Sequence, residues 1–251
     1  MTNEYDEAPR IWLDVPYRQR QAARRAGALF DHQHERYYAP RPGMDALTAW
    51  SARPNLPAIL PGEDRTYGQR ESLYVDLVPA SCWFTNARSA IAERDWDRVH
   101  RMVVTRAGRA CEACGAGRDP KARRWLEAHE RWRFDEITRT QRLTRLICLC
   151  TDCHQTTHFG LAQIHGRDQQ AFAHLLHVTG MDERTANVHL QRAFSIWQAR
   201  SRTVWALDLS ILTDADIALN PPPAPTDRRS QARRQVSEVR ARERGTDPRT
   251  R

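Results

Sequence analysis

No stretch of this chain approaches the roughly 20 consecutive apolar residues of a membrane-spanning helix. Nor does it open on the basic-then-apolar pattern of an export signal, since Glu4, Asp6 and Glu7 place acids there instead. These absences argue against a helical membrane protein and lead to the expectation of a soluble, cytoplasmic one. Lysine is nearly missing, Lys121 being the only one, so guanidinium groups carry almost all of the positive charge. Asparagine is missing from the whole interval between Cys114 and Cys150, which bears on the chemistry below.

The chain has 251 residues, 40% of them hydrophobic and eight of them tryptophan, which is material for one large core or two modest ones. Its formal charge is +8. An excess built from arginine suits nucleic acid, because the guanidinium fork pairs bidentately with phosphate oxygens. The excess is uneven, however. Residues 221–251 hold nine arginines against Asp227, Glu238, Glu243 and Asp247, so this tail supplies +5 of the total. The remaining +3 on the body does not by itself single out nucleic acid as the partner.

Four regions follow from composition and periodicity. Residues 1–43 read as a small strand–helix–hairpin module, with a strand over 11–14, a helix entered through Pro16 and stopped by Gly27, and a hairpin from Leu29 to Ala39. Residues 44–70 form a proline-rich connector, partly docked through Trp50 and the apolar run 56–60. Residues 71–220 hold the main domain, with amphipathic helices expected over 95–107, 169–178 and 182–201. Leu190, Phe194 and Trp197 fall on one face of the last and are expected in the core; His174, His177 and His189 are read as ordinary polar residues at helix edges. Residues 221–251 are too polar and proline-rich to offset the entropy of ordering and are expected to be a disordered basic arm.

The stretch Ile11-Trp12-Leu13-Asp14-Val15-Pro16-Tyr17, followed by Gly27-Ala28 and Tyr37-Tyr38-Ala39-Pro40, resembles a small domain of unknown function attached to phage, plasmid and DNA-replication proteins. The resemblance implies a mobile-element or DNA-metabolism setting and no particular activity.

Four of the six cysteines form two Cys-x-x-Cys pairs, Cys111/Cys114 and Cys150/Cys153, about thirty-five residues apart. Tetrahedral zinc takes four thiolates converging from two such turns, so a structural zinc is expected. Gly115 and Gly117 supply backbone freedom for the first turn; Cys82 and Cys148 are read as small core residues. His154 follows the second pair directly and His158 lies four residues on, so a helix opened at Cys150 or Thr151 presents both imidazoles on one face, able to bind a second metal. Residues 126–132 read as a hairpin strand able to bring His129 over that helix.

In this layout residues 96–160 resemble the HNH, or ββα-metal, nuclease family in its zinc-stabilised form. The resemblance implies an α+β fold with a treble-clef or ββα-metal zinc core flanked by helices. It also implies His129 as general base, His154 and His158 as ligands of a second divalent metal (magnesium, manganese, nickel or zinc), and Arg131 or Arg133 on the scissile phosphate of nucleic acid, DNA in the first instance. Two departures stand out. Ala128 occupies the place of a family metal ligand, and the family's middle asparagine is missing, with Asp135 the nearest substitute. A shift of one residue makes His129 the ligand and puts Glu130 in the base's place, where its ordinary pKa of about 4.3 makes it weak unless desolvated. The leading function is therefore an HNH-type endonuclease acting on DNA phosphodiester bonds. The alternative is a noncatalytic zinc-finger nucleic-acid-binding protein with a degenerate site, and a third reading has the zinc domain contact protein while the tail meets nucleic acid.

Overall fold

A computed structural model describes residues 10–69, 73–83 and 86–220. The arginine-rich tail, expected to be disordered, lies outside the described residues.

Short alternating segments at the amino-terminal end leave one face apolar and form β1 (Ile11–Leu13), α1 (Arg20–Arg25), β2 (Leu29–Asp31) and β3 (Arg36–Ala39). The strands make an antiparallel sheet in the order β1-β3-β2. A 3₁₀ turn at Tyr17–Gln19 follows Pro16, and α1 begins only at Arg20. Gly27 ends the helical turn at φ +98°, a conformation that favours glycine; a Cβ there would lie 2.7 Å from Met44 Cε, the movable end of a flexible side chain. Leu13, Ala23, Tyr37 and Leu47 form the core of this module, with Trp50 packed against it. Leu47 and Trp50 come from a 3₁₀ helix over Asp45–Trp50. The module therefore runs past residue 43, the boundary read from the sequence.

The connector is laid against the main domain along most of its length. Leu60 is buried, and the Glu63 carboxylate accepts from Arg106 at 2.7 Å and from the Leu146 N–H at 2.9 Å.

The main domain contains α2 (Ala87–Ala90), α3 (Glu93–Arg106), β4 (Leu126–Asp135), β5 (Thr140–Cys150), α4 (Thr151–Thr157), α5 (Phe159–Ile164), α6 (Asp168–Thr179), α7 (Glu183–Arg200), β6 (Ala206–Asp208) and α8 (Ser210–Thr213). Its sheet has the order β4-β5-β6, with β5 antiparallel to β4 and parallel to β6. The described residues are thus α+β, with two three-stranded sheets among them. From Leu143 to Cys150 every residue of β5 is buried, the pattern of a strand covered on both faces. Trp96, Val99 and Val103 of α3 share one core with Leu126 and Ala128 of β4. α7 differs from expectation: only Ala186 is buried, and Leu190, Phe194 and Trp197 are half-buried, because the helix lies on the outside of the domain. Its contacts run to the segment before α2, with His189 Nε2 accepting from the Val75 N–H and Trp197 Nε1–H donating to the Val78 carbonyl, both at 3.0 Å.

Candidate metal centres

Each half of the first candidate centre starts from a tight turn. Gly115, at φ +74°, closes the first by donating its N–H to the Cys111 carbonyl at 2.8 Å. Gly117 has no positive φ, so only one of the two glycines is needed for its conformation. The second pair forms where β5 runs into α4, Cys150 capping the helix and Cys153 lying in its first turn. The four sulfurs lie within 4.8 Å of one another. Cys114 Sγ and Cys150 Sγ are 3.6 Å apart, close to the roughly 3.8 Å edge of a tetrahedron with Zn–S bonds of about 2.3 Å.

The electrostatics ask for a cation. Hydrogen bonds from Cys150 and Cys153 drive the Cys111 thiol far below its ordinary value. The bond to Cys111 in turn pushes Cys150 up to about 12, and Cys153 rises for the same reason. Without a cation one thiolate suppresses ionisation of its neighbours; a dication lets all four ionise. The four-cysteine cluster is therefore compatible with structural zinc. Cys148 and Cys82 are buried outside the cluster, and burial pushes the Cys148 thiol up to about 12.

Two side chains buttress this centre without having been singled out in the sequence. Glu112, between the first two cysteines, accepts from the Cys148 N–H at 2.7 Å and from Arg65 and Arg145 at 2.8 and 3.0 Å. His174, read as an ordinary edge residue of α6, places Nε2 3.2 Å from Cys153 Sγ.

The second candidate centre joins β4 to the start of α4. Ring centroids of His129, His154 and His158 are 4.7–5.1 Å apart, and one nitrogen of each lies within 4.8 Å of the others. α4 begins at Thr151 as the spacing requires, and the His158 N–H still donates to the His154 carbonyl although the helix ends at Thr157. His129 is 3% exposed, and neither of its ring nitrogens has a hydrogen-bond partner. Burial holds all three imidazoles below their ordinary value, His158 down to about 3, and the charge of Arg131 adds to each shift. They are neutral at neutral pH, the form in which imidazole binds a metal.

The other residues singled out from the sequence fall elsewhere. Glu130 is on the opposite face of β4, where its carboxylate accepts from the Ala87 N–H at 3.1 Å at the start of α2. Burial raises its pKa as a base would require, yet it lies outside the histidine group. Ala128 is buried in the core and offers no ligand. Asp135 caps the hairpin turn by accepting from the N–H groups of Ile137 and Thr138, roughly 20 Å along β4 from His129. Arg131 has no exposed surface. Its guanidinium lies 4.0 Å from the Tyr74 ring centroid, and none of its three nitrogens has a hydrogen-bond partner. It is therefore not a surface contact for a duplex. A bulge between Arg131 and Trp132 separates it from Arg133, which is exposed, 3.5 Å from Asp64 and stacked over Tyr67 at 4.9 Å.

Two residues near the histidines had gone unremarked. Glu127 Oε2 is 3.2 Å from His154 Nδ1; its position two residues before His129 on a strand was the available signal. Asp76 comes from a distant segment with no motif and is tied to α4 by its N–H bond to the Thr157 carbonyl. Burial raises its carboxyl against the pull of Arg131 and Arg200.

Among known proteins, residues 10–51 match a domain of unknown function, DUF5710. The match covers the amino-terminal module, in agreement with the resemblance read there, and ends before the cysteine–histidine segment. No curated protein and no solved structure matches the chain. No helix among the described residues is long and apolar enough to cross a membrane.

Proposed function

We propose that this protein is a metal-dependent endonuclease of the HNH, ββα-metal type, in which a zinc-stapled core presents a three-histidine centre to a DNA phosphodiester. One observation carries the reading. His129 from β4 meets His154 and His158 from the α4 turn in a buried group, with both ring nitrogens of His129 unpartnered. Buried polar atoms left without partners are rare and point to a ligand or ion that completes them. The succession of β4, β5 and α4, with a cysteine pair before the hairpin and another at the helix start, is the order that family implies.

His154 and His158 would hold a divalent ion, which would supply Lewis-acid stabilisation of charge on a phosphodiester. Glu127 Oε2, 3.2 Å from His154 Nδ1, favours the proton on that nitrogen and so leaves Nε2 for a ligand. His129, held neutral, takes the proton of the attacking water at one of its open ring nitrogens. Arg131 lies behind the histidines, where its charge disfavours their protonation and attracts an anion to the site. Arg133, on the surface, contacts the backbone phosphates.

A noncatalytic binding module is favoured by one specific observation: the histidine group contains no carboxylate, Ala128 facing the core where the family places a ligand. Metal analysis paired with plasmid nicking in magnesium, manganese, nickel or zinc decides between them. The nuclease reading expects one tightly held zinc, nicking that needs added metal, and loss of nicking in both His129→Ala and His154→Ala with that zinc retained. DNA binding without nicking in any metal overturns it in favour of the binding module.

A further inference from the structure

Where the DUF5710 module meets α3 and the turn after the first cysteine pair, a cleft of about 720 Å³ opens. Arg20, Arg36, Arg101, Arg109 and Arg118 line it, against Glu35 and Asp97. Its positive charge is under-compensated at the base. Arg36 and Arg101 share one oxygen of the buried Asp14 carboxylate, at 3.0 and 2.6 Å, and Arg36 Nε is buried without a partner. Asp97 also acts on Arg101 and Arg20, and Glu35 pairs with Arg118, so the five guanidiniums face three carboxylates and the cleft keeps a net positive charge that an anion offsets. Nearer the mouth, Arg20 and Arg109 have no carboxylate within 4.0 Å among the described residues; Arg20 stacks on Tyr17 at 4.7 Å, and Arg109 reaches the Gln33 carbonyl at 3.3 Å.

The rim also carries a flat apolar surface. Trp125 is 44% exposed, with the Arg118 guanidinium 4.8 Å from its ring centroid. Guanidiniums lining a cleft beside an indole that has Arg118 over its ring and is part-exposed are the elements by which single strands are held: phosphate contacts along the backbone and an aromatic surface for a base, which a duplex keeps stacked inside. An acidic peptide would use the arginines but leave Trp125 without a role. Trp125 leads directly into β4, the edge strand of its sheet, and His129 lies four residues on, roughly 13 Å along the strand.

We infer that this interdomain cleft is a binding site for single-stranded nucleic acid, with Arg20 and Arg109 on phosphates and Trp125 stacking a base, and that holding the strand is what the amino-terminal module contributes. The site does not depend on the histidine centre being catalytic.

Fluorescence anisotropy of a labelled 20-nucleotide poly-dT, with the full chain and no added divalent ion, tests it. The Arg20→Ala/Arg109→Ala variant is expected to bind at least tenfold more weakly, and its slope of log affinity against log salt should fall by about 0.7 per arginine. Trp125→Ala is expected to lose roughly tenfold and Trp125→Phe to recover most of it. Arg184→Ala, removing an exposed charge on α7, should change binding less than twofold. All four substituted side chains are exposed, so zinc content and melting temperature serve as fold controls. Affinity unchanged within twofold in the cleft variants overturns the proposal, as does tighter binding of a duplex, or poly-glutamate competing as well as the oligonucleotide. Because no cutting is measured, cleft variants that lose binding while every variant fails to nick would sink the nuclease reading and leave this one standing.

Discussion

Glu127 Oε2 lies 3.2 Å from His154 Nδ1, on the strand that also supplies His129. A carboxylate at that distance favours the proton on Nδ1 and so leaves Nε2 as the nitrogen free for a metal. Removing such a partner typically costs ten- to hundredfold in metal affinity. Glu127→Ala is therefore expected to weaken binding of manganese or zinc at the histidine centre by that factor, with the zinc of the cysteine cluster retained. Calorimetric titration of the zinc-loaded protein measures the first, and metal analysis the second. Equal affinity in the variant would remove Glu127 from the site.

The buried histidines set a pH dependence. Burial holds His158 down to about 3 and lowers His129 and His154 as well. The unfolded chain therefore takes up protons near pH 6.5 that the folded chain refuses, and stability falls as pH drops from about 6.5 toward 3. His158→Gln should flatten that fall. Urea denaturation at pH 7, 6 and 5, with zinc content checked at each pH, reads the difference. The same shifts predict that metal affinity at the histidines changes little between pH 7.5 and 6, where three ordinary imidazoles would be losing it to protons.

Arg131 buries a charge with no hydrogen bond to any of its nitrogens. Replacing such a group with an apolar side chain of similar length removes a desolvation cost and leaves the volume filled. Arg131→Met also takes from the buried Asp76 carboxyl a charge that pulls on it, so Asp76 is driven further toward its protonated form and the net change in chemical denaturation is expected to be small. The substitution should also raise the histidine pKa values somewhat, while burial, the larger cause, keeps them below the ordinary value, so that metal binding stays insensitive to pH between 7.5 and 6. Marked destabilisation would show that the guanidinium has a structural partner instead.

The cysteines divide by role. Cys153→Ser is expected to lose zinc and melt the domain, since structural zinc sites contribute binding free energy directly to folding. Cys148→Ser, outside the cluster, should keep its zinc. His174→Ala should retain stoichiometric zinc but release it about tenfold faster to a chelator, because the imidazole 3.2 Å from Cys153 Sγ no longer steadies that thiolate. Chelator-exchange kinetics separate the three variants.

Much of this was legible in the chain. The cysteine pairs, the His154/His158 spacing and the helices around them are local patterns, each set by residues within a few positions of one another. The element order of the amino-terminal module was legible for the same reason, through Pro16, Gly27 and the polar turn before Tyr37. Its end was not, because Leu47 and Trp50 belong to it by packing rather than by periodicity. Arg131 and Arg133 looked equivalent at i and i+2 until the bulge between them sent one inward and left the other on the surface.

The sequence by itself determined that four thiols and a run of histidines would be close enough to gather metal, since short-range spacing and the hairpin between them suffice for that. Only the tertiary structure decided which faces met: that Glu130 turns to α2 while Glu127 turns to His154, that Asp76 and Tyr74 arrive from a segment more than fifty residues earlier, and that the module and the zinc domain enclose an arginine-lined cleft. The reason is physical. Those contacts join residues far apart in the chain, and they are set by how the buried faces of β4, β5 and α3 pack, which no local pattern encodes.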